Sequence, residues 1–342
     1  MQITIWSVAR TILLLTASLN SAYGLTINNA RDLIPNPSQD PFYVPPSGFE
    51  SASPGAVLRS RKVASSFFSI IPNPIETYQI LYRTTAVDGS AIATVTTVFK
   101  PVLGKRDRFV TWSSAYDSAA TQCNPSYSYR LGSSIVPSIL TTNAVEQLII
   151  EIYLLKGYIV SSPDYEGPDA AFAAGRLSGM GVLDSMRAVS NFGRTLGLTT
   201  DKPSIVGAGY SGGGLATAWA AALQPSYAPE LPVKGWTAGG IPANLTYIFE
   251  FIDGSLLSGV EIVALAGLMK PSAYGATLKP FIDGIVASGC TSKTVLDDTL
   301  NPLAFGVALE PLAVGLINFL VALGKKDANW LAGIKKGEPI KL

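Results

Sequence analysis

Histidine is absent from all 342 residues, charged side chains make up only 14% of the chain, and cysteine occurs twice. Each scarcity excludes something. Without imidazole, a zinc site would have to rest on Asp, Glu and Cys, and no cluster of those residues has ligand spacing. A formal net charge of +1 gives no electrostatic grip on nucleic acid, and no strip of stacking aromatics suggests one. The two strongest apolar segments, 251–269 and 307–323, are broken by Glu261 and by Glu310 with Pro311. Neither supplies the roughly 18 uncharged residues of a transmembrane helix. No glycine-rich phosphate loop is evident, so no cofactor is expected.

What is present points to an apolar partner. Hydrophobic residues are 48% of the chain, which leaves little polar material to cover its surface. Residues 1–24 carry Arg10, an apolar run over 11–19 and the small-residue site Ala22-Tyr23-Gly24, the pattern of a secretory signal peptide cut after Gly24. The expected location is therefore extracellular. In an oxidising compartment Cys123 and Cys290 read as one disulfide or as two separate buried thiols. Asn244-Leu245-Thr246 is the one acceptable glycosylation sequon, since Asn36 and Asn124 are each followed by proline.

Periodicity sets the organisation. Residues 25–60, rich in Pro, Ser and Asn, predict an extended arm. Runs at 79–85 and 91–99 flank Val87-Asp88-Gly89-Ser90 and predict a β-hairpin. Strands are expected at 109–114, 157–162, 204–208 and 233–238, and helices at 147–155, 178–196 and 215–223. That alternation predicts a mostly parallel sheet with right-handed crossovers over 61–243. The apolar segments beyond 243 predict a helical cap over 244–323, followed by an atypical lysine-bearing tail at 324–342.

The centre of the pattern is Gly209-Tyr210-Ser211-Gly212-Gly213. It joins the short apolar strand at 204–208 to an alanine-rich helix, the strand, turn and helix of a Gly-x-Ser-x-Gly nucleophile elbow in an α/β-hydrolase core. Glycines on both sides of Ser211 give the turn room, and the helix N-terminus with the Gly212 N–H would stabilise an oxyanion. The turn thus names a serine nucleophile, while the absence of histidine withholds its usual base.

Further segments share this register with a known group. Tyr116-Asp117-Ser118-Ala119-Ala120-Thr121-Gln122-Cys123-Asn124-Pro125-Ser126-Tyr127, then Tyr158-Ile159-Val160-Ser161-Ser162-Pro163-Asp164-Tyr165-Glu166-Gly167 with Ala171-Phe172, then the Ser211 turn with Ala216-Thr217-Ala218-Trp219, and Ser226-Tyr227-Ala228-Pro229-Glu230-Leu231 occur in order. On these motifs, spanning roughly residues 30–310, the chain resembles the fungal secretory lipase family. The resemblance implies an α/β-hydrolase core with an inserted helical cap, acting on acyl esters of lipids at a lipid–water interface. It implies Asp117 and Gly212 as the oxyanion hole, with Ser211 as nucleophile. A buried aspartic acid can donate when desolvation keeps its proton on, although a loop-capping role for Asp117 is the plainer alternative. It also implies pairing of Cys123 with Cys290. Family members carry the triad Asp and His in a further C-terminal stretch, so the last strands and those two residues are expected to be missing here.

Three functions are therefore expected in competition. The first is a secreted lipase or carboxylesterase impaired by the lack of a base, with Lys270 or Lys279 as the available substitutes. The second is a non-catalytic lipid-binding protein, and the third a deacetylase of a secondary-metabolite ester.

Overall fold

A computed structural model describes residues 34–133, 137–253 and 259–287. The expected signal peptide, the segment 307–323, the tail at 324–342 and Cys290 lie outside these residues. Seven strands form one sheet: β1 (Val57–Phe67), β2 (Ile71–Thr85), β3 (Ala91–Lys100), β4 (Arg108–Ser113), β5 (Ile159–Pro163), β6 (Ser204–Tyr210) and β7 (Val233–Gly239). Their spatial order is β1-β2-β3-β5-β4-β6-β7.

The predicted hairpin is β2–β3, closing at the Thr85–Ala91 pair. In its turn the Ser90 N–H donates to Asp88 Oδ1 at 2.9 Å and Gly89 adopts φ +90°. The sheet is mixed: β1–β2, β2–β3 and β3–β5 are antiparallel, whereas β5–β4, β4–β6 and β6–β7 are parallel. The expectation of a mostly parallel sheet is thus met only in half: β1–β2 and β2–β3 are joined by short turns, which force antiparallel pairing, while the parallel half leads into Ser211. The β1 strand starts at Val57, inside the expected arm. Its Arg59-Ser60-Arg61-Lys62 stretch is polar because β1 is the outer edge of the sheet, where one side is solvated.

Helices cover both faces. In chain order they are α1 (Pro125–Ser128), α2 (Pro137–Leu155), α3 (Gly175–Asn191), α4 (Gly193–Leu196), α5 (Gly212–Tyr227), α6 (Leu245–Ile252), α7 (Gly259–Leu268) and α8 (Gly275–Ala287). Successive strand residues point to opposite faces. Val98 and Ile159 therefore pack with Val182, Leu183, Met186 and Ala216 of α3 and α5, while Phe99 and Val160 pack with Ile150 and Leu154 of α2. The helix predicted at 178–196 is two pieces, because the chain turns at Phe192 before α4 and ends at Gly197 in the left-handed conformation.

Three helices, α6 to α8, follow β7. Phe172, Ala173, Val263 and Ala264 form their buried junction with the core, joined by Leu245, Phe249, Val260 and Leu268. Asp169 ties the α7–α8 corner down, accepting from the Ser272 N–H at 3.0 Å and from its hydroxyl. The Ser272 carbonyl accepts in turn from Val87 N–H at 3.0 Å, so the corner is fastened to the hairpin turn.

Candidate active site

Strand β6 ends at Tyr210 and α5 begins at Gly212, leaving a single residue, Ser211, to turn the chain. It does so at φ +55° and ψ −123°, a conformation that costs a non-glycine residue on the order of 1–3 kcal/mol. Surrounding bonds hold it there: the Ser211 N–H donates to Gly239 O on β7, and its carbonyl accepts from Leu215 N–H, both at 2.9 Å. The half-buried side chain sits at the carboxyl end of the parallel strands.

The flanking glycines are needed for close approach. A Cβ on Gly209 would stand 2.3 Å from the Gly213 carbonyl oxygen, and one on Gly213 would stand 1.8 Å from that of Ser113. No side chain fits at either position. Gly212 is equally crowded, since its Cβ would lie 1.8 Å from Asp117 Oδ1. The Asp117 carboxyl is therefore laid against the first residue of α5, beside Ser211. The two expected oxyanion residues, ninety-five positions apart in sequence, are brought together with the serine.

Asp117 is itself held at φ +37° in the loop after β4 and is buried. Its Oδ1 has no hydrogen-bond partner. Burial raises its carboxyl to about 7, only partly opposed by its own backbone N–H. It has acidic company that the sequence did not reveal. Glu146 of α2 accepts from Trp112 Nε1 at 2.5 Å, and Asp164 at the end of β5 accepts from the Ser126 N–H at 2.8 Å. Glu166 follows two residues later, with its N–H donating to the Tyr116 hydroxyl at 2.9 Å. All three carboxyls are buried. Desolvation raises Asp164 to about 7 and lifts Glu146 and Glu166 well above the carboxylate range, and the Asp117 charge pushes both glutamates further. The motif Pro163-Asp164-Tyr165-Glu166 after a strand was the only visible signal, and Glu146 gave none.

The other expected residues fall elsewhere. Cys123 is buried, which raises its thiol to about 12, and its expected partner Cys290 lies outside the described residues. Asn244 is exposed and caps α6 by accepting from Tyr247 N–H at 3.1 Å. Lys279 is on the surface and pairs with Asp283 at 2.6 Å. Lys270 is partly buried at the α7–α8 corner, where desolvation lowers it and the Asp169 charge opposes that. No hydrogen bond joins either lysine to Ser211. Among the described residues no group of His, Cys, Asp and Glu could hold a metal ion, and no helix is long and apolar enough to cross a membrane.

Similarities to known proteins agree with this geometry. The sequence profile of a family described as Secretory lipase matches residues 134–298. Secreted triacylglycerol lipase LIP4 of Malassezia globosa is 44% identical over 248 residues, which are 72% of this chain and 52% of that protein. Secreted triacylglycerol lipase LIP2 of Malassezia furfur is 41% identical over 69% of this chain and 50% of its own length. The chain thus spans about half the length of the curated relatives it matches. Among solved structures, Candida antarctica lipase A superposes with a TM-score of 0.70 at 34% identity, covering 81% of this chain and 62% of that one. Its closed state superposes with a TM-score of 0.66 at 36% identity, over 73% and 56% of the two chains.

Proposed function

The chain belongs to the secretory lipase family, and on that premise we propose that it is a secreted serine hydrolase of acyl esters in which Ser211 is the nucleophile. The observation that carries this reading is the left-handed Ser211 wedged between β6 and α5 with the Asp117 carboxyl lying against Gly212. The Ser211 hydroxyl oxygen attacks the ester carbonyl. Its carbon–oxygen double bond opens to an oxyanion, which the Gly212 N–H and the protonated Asp117 carboxyl stabilise. Collapse re-forms the carbonyl and breaks the bond to the alkoxy oxygen, which takes up the serine proton by way of water and leaves as the alcohol; the acyl-enzyme is then hydrolysed by water.

We place the acyl chain against the apolar cluster under α6 and α7. The buried junction of Phe172, Val263 and Ala264 is lined by Ala119, two residues after Asp117, and by Leu245 and Phe249 of α6. On the outer side of α6, Tyr247 and Phe251 stack at 6.4 Å and stay exposed, which suits contact with a lipid–water interface. Triacylglycerols are the proposed substrates. In this scheme α6 to α8 act as the cap and Asn244 is the glycan acceptor. The sheet and its flanking helices are the catalytic core.

With no imidazole in the sequence, the serine proton has no histidine acceptor. Oxyanion stabilisation and binding alone sustain an acceleration of roughly 10³ to 10⁴ over water. A fluorophosphonate probe tests the reading. Slow labelling at Ser211 that speeds up when free imidazole is added is the expected result, and no labelling at Ser211 with or without imidazole refutes it. The apolar junction under α6 and α7 also suits one second reading, a lipid-binding protein that holds lipid there without turnover. Fatty-acid binding by a chain that the probe never labels would establish it.

A further inference from the structure

Three of the most exposed large apolar side chains, Val102 at 81%, Leu103 at 87% and Leu155 at 84%, stand together at one end of the sheet. Val102 and Leu103 follow β3, and Leu155 ends α2. The two segments are locked to each other: Lys105 N–H donates to Gly157 O at 2.8 Å, and Lys105 Nζ to Lys156 O at 2.6 Å. Gly104 lies so close to the Gly157 carbonyl that a Cβ would stand 2.6 Å from it. Arg106 Nη2 closes the loop from behind, donating to Pro101 O at 3.0 Å and Val102 O at 3.2 Å. Hydrogen bonds thus fix a backbone that presents leucine and valine to solvent.

A basic collar surrounds this knob. Lys105, Lys156 and Lys202 are exposed and Arg106 is half-buried, while exposed Arg108 pairs with Asp107 at 2.6 Å and the other acids at this end are Asp201 and half-buried Glu151, one turn before Leu155. These segments adjoin, because Thr199 N–H donates to Arg106 O and Ser204 N–H to Asp107 O. The chain as a whole is nearly neutral at +1, so the positive charge is local. An apolar tip ringed by cations matches the boundary of a bilayer bearing anionic headgroups, where side chains insert and lysines stay at the phosphate level. A protein partner would need no such collar.

The position is informative. Strands β4, β5 and β6 start at this end and run toward Ser211, so the knob and the serine are separated by the length of the parallel strands, about 20 Å at 3.3 Å per residue. We propose that the Val102–Leu103–Leu155 knob and its collar are an anchor for anionic bilayers that holds the molecule with the Ser211 end facing away from the membrane. The anchor does not depend on Ser211 being a nucleophile.

Co-sedimentation of the full chain with phosphatidylglycerol and with phosphatidylcholine vesicles tests it. Binding is expected to phosphatidylglycerol, weakening as salt is raised. Val102→Asp with Leu103→Asp should lower affinity at least tenfold, and Lys105→Glu with Lys156→Glu should abolish the preference for anionic lipid. Val44→Asp, which alters an exposed apolar side chain outside the knob, should leave phosphatidylglycerol binding intact. Because every altered side chain is exposed, unchanged circular dichroism and melting temperature confirm that the variants fold. The proposal is overturned by absence of phosphatidylglycerol binding, by binding indifferent to the knob variants, by loss of binding in Val44→Asp alone, or by a dimer in the free protein that the knob variants dissociate.

Discussion

At the scale of single residues, Asp117 makes the sharpest claim, because a carboxylate beside an oxyanion repels it and a carboxylic acid stabilises it. Burial raises the group to about 7, so it carries its proton below that pH and loses it above. The rate of fluorophosphonate labelling gives the readout. Above pH 7 the ratio of the Asp117→Asn rate to the wild-type rate is expected to climb, since the amide remains a donor where the acid has ionised. Asp117→Ala should label about 10² to 10³ times more slowly than wild type below pH 7, the usual effect of removing one oxyanion donor. A ratio that stays flat from pH 5 to 9 would mean that Asp117 only shapes its loop.

At the scale of elements, helices α3 and α5 meet through glycine. A Cβ on Gly179 would stand 2.7 Å from the backbone carbon of Trp219 and 2.9 Å from the Ala220 nitrogen, and one on Gly175 would strike the Trp219 indole at 2.1 Å. Replacing a helical glycine with alanine ordinarily stabilises by up to about 1 kcal/mol. Here the added methyl meets backbone that cannot rotate away, and overpacking costs about 1–3 kcal/mol. Gly179→Ala is therefore expected to lower the unfolding free energy by about 1–2 kcal/mol in urea titration, and a more stable variant would show that the two helices part freely.

The same helices show what the sequence could disclose. Around Ser211, strand, turn and helix are consecutive, so local chemistry made them readable: the apolar β6 run, the glycines and the alanine-rich α5 specify one another within about 25 residues. The hairpin was readable for the same reason, through Asp88-Gly89. What Gly175 and Gly179 are for was not, because their partner Trp219 lies about 40 residues away and small residues carry no address. The β1 strand was hidden because Arg59 donates to Pro41 O, Arg61 meets Asp40 and Gln79, and Lys62 pairs with Glu76, so the strand shows no apolar stripe. The buried acids Glu146 and Asp164 were hidden for a third reason, since a carboxyl's burial is decided by distant elements that cover it.

At the scale of the whole molecule those acids set the pH dependence of stability. Asp117 and Asp164 each titrate at about 7 in the fold against 3.8 for an exposed aspartate, and Glu146 and Glu166 are shifted in the same direction. A carboxyl raised by folding binds its proton more tightly in the native state. Its contribution is complete below the unfolded value and is lost as pH rises through the native one. Opposing groups act lower on the scale. Burial pushes Asp40 up, but Arg61, the Phe42 N–H and Arg130 outweigh it, so its contribution is lost only as acid protonates it. Between about pH 4.5 and 8, then, the buried acids dominate. No imidazole titrates in this window, and the buried Cys123 thiol lies far above it. The melting temperature should therefore decline steadily from pH 5 to pH 8, by an amount corresponding to a few kcal/mol. Asp117→Asn combined with Asp164→Asn should flatten that decline, because an amide accepts from Ser126 as the acid did yet binds no proton. Differential scanning calorimetry across the range decides the matter. A melting temperature that climbs toward neutrality would mean that these carboxyls are charged in the fold, with Asp117 among them, and the oxyanion role would fall along with the stability argument.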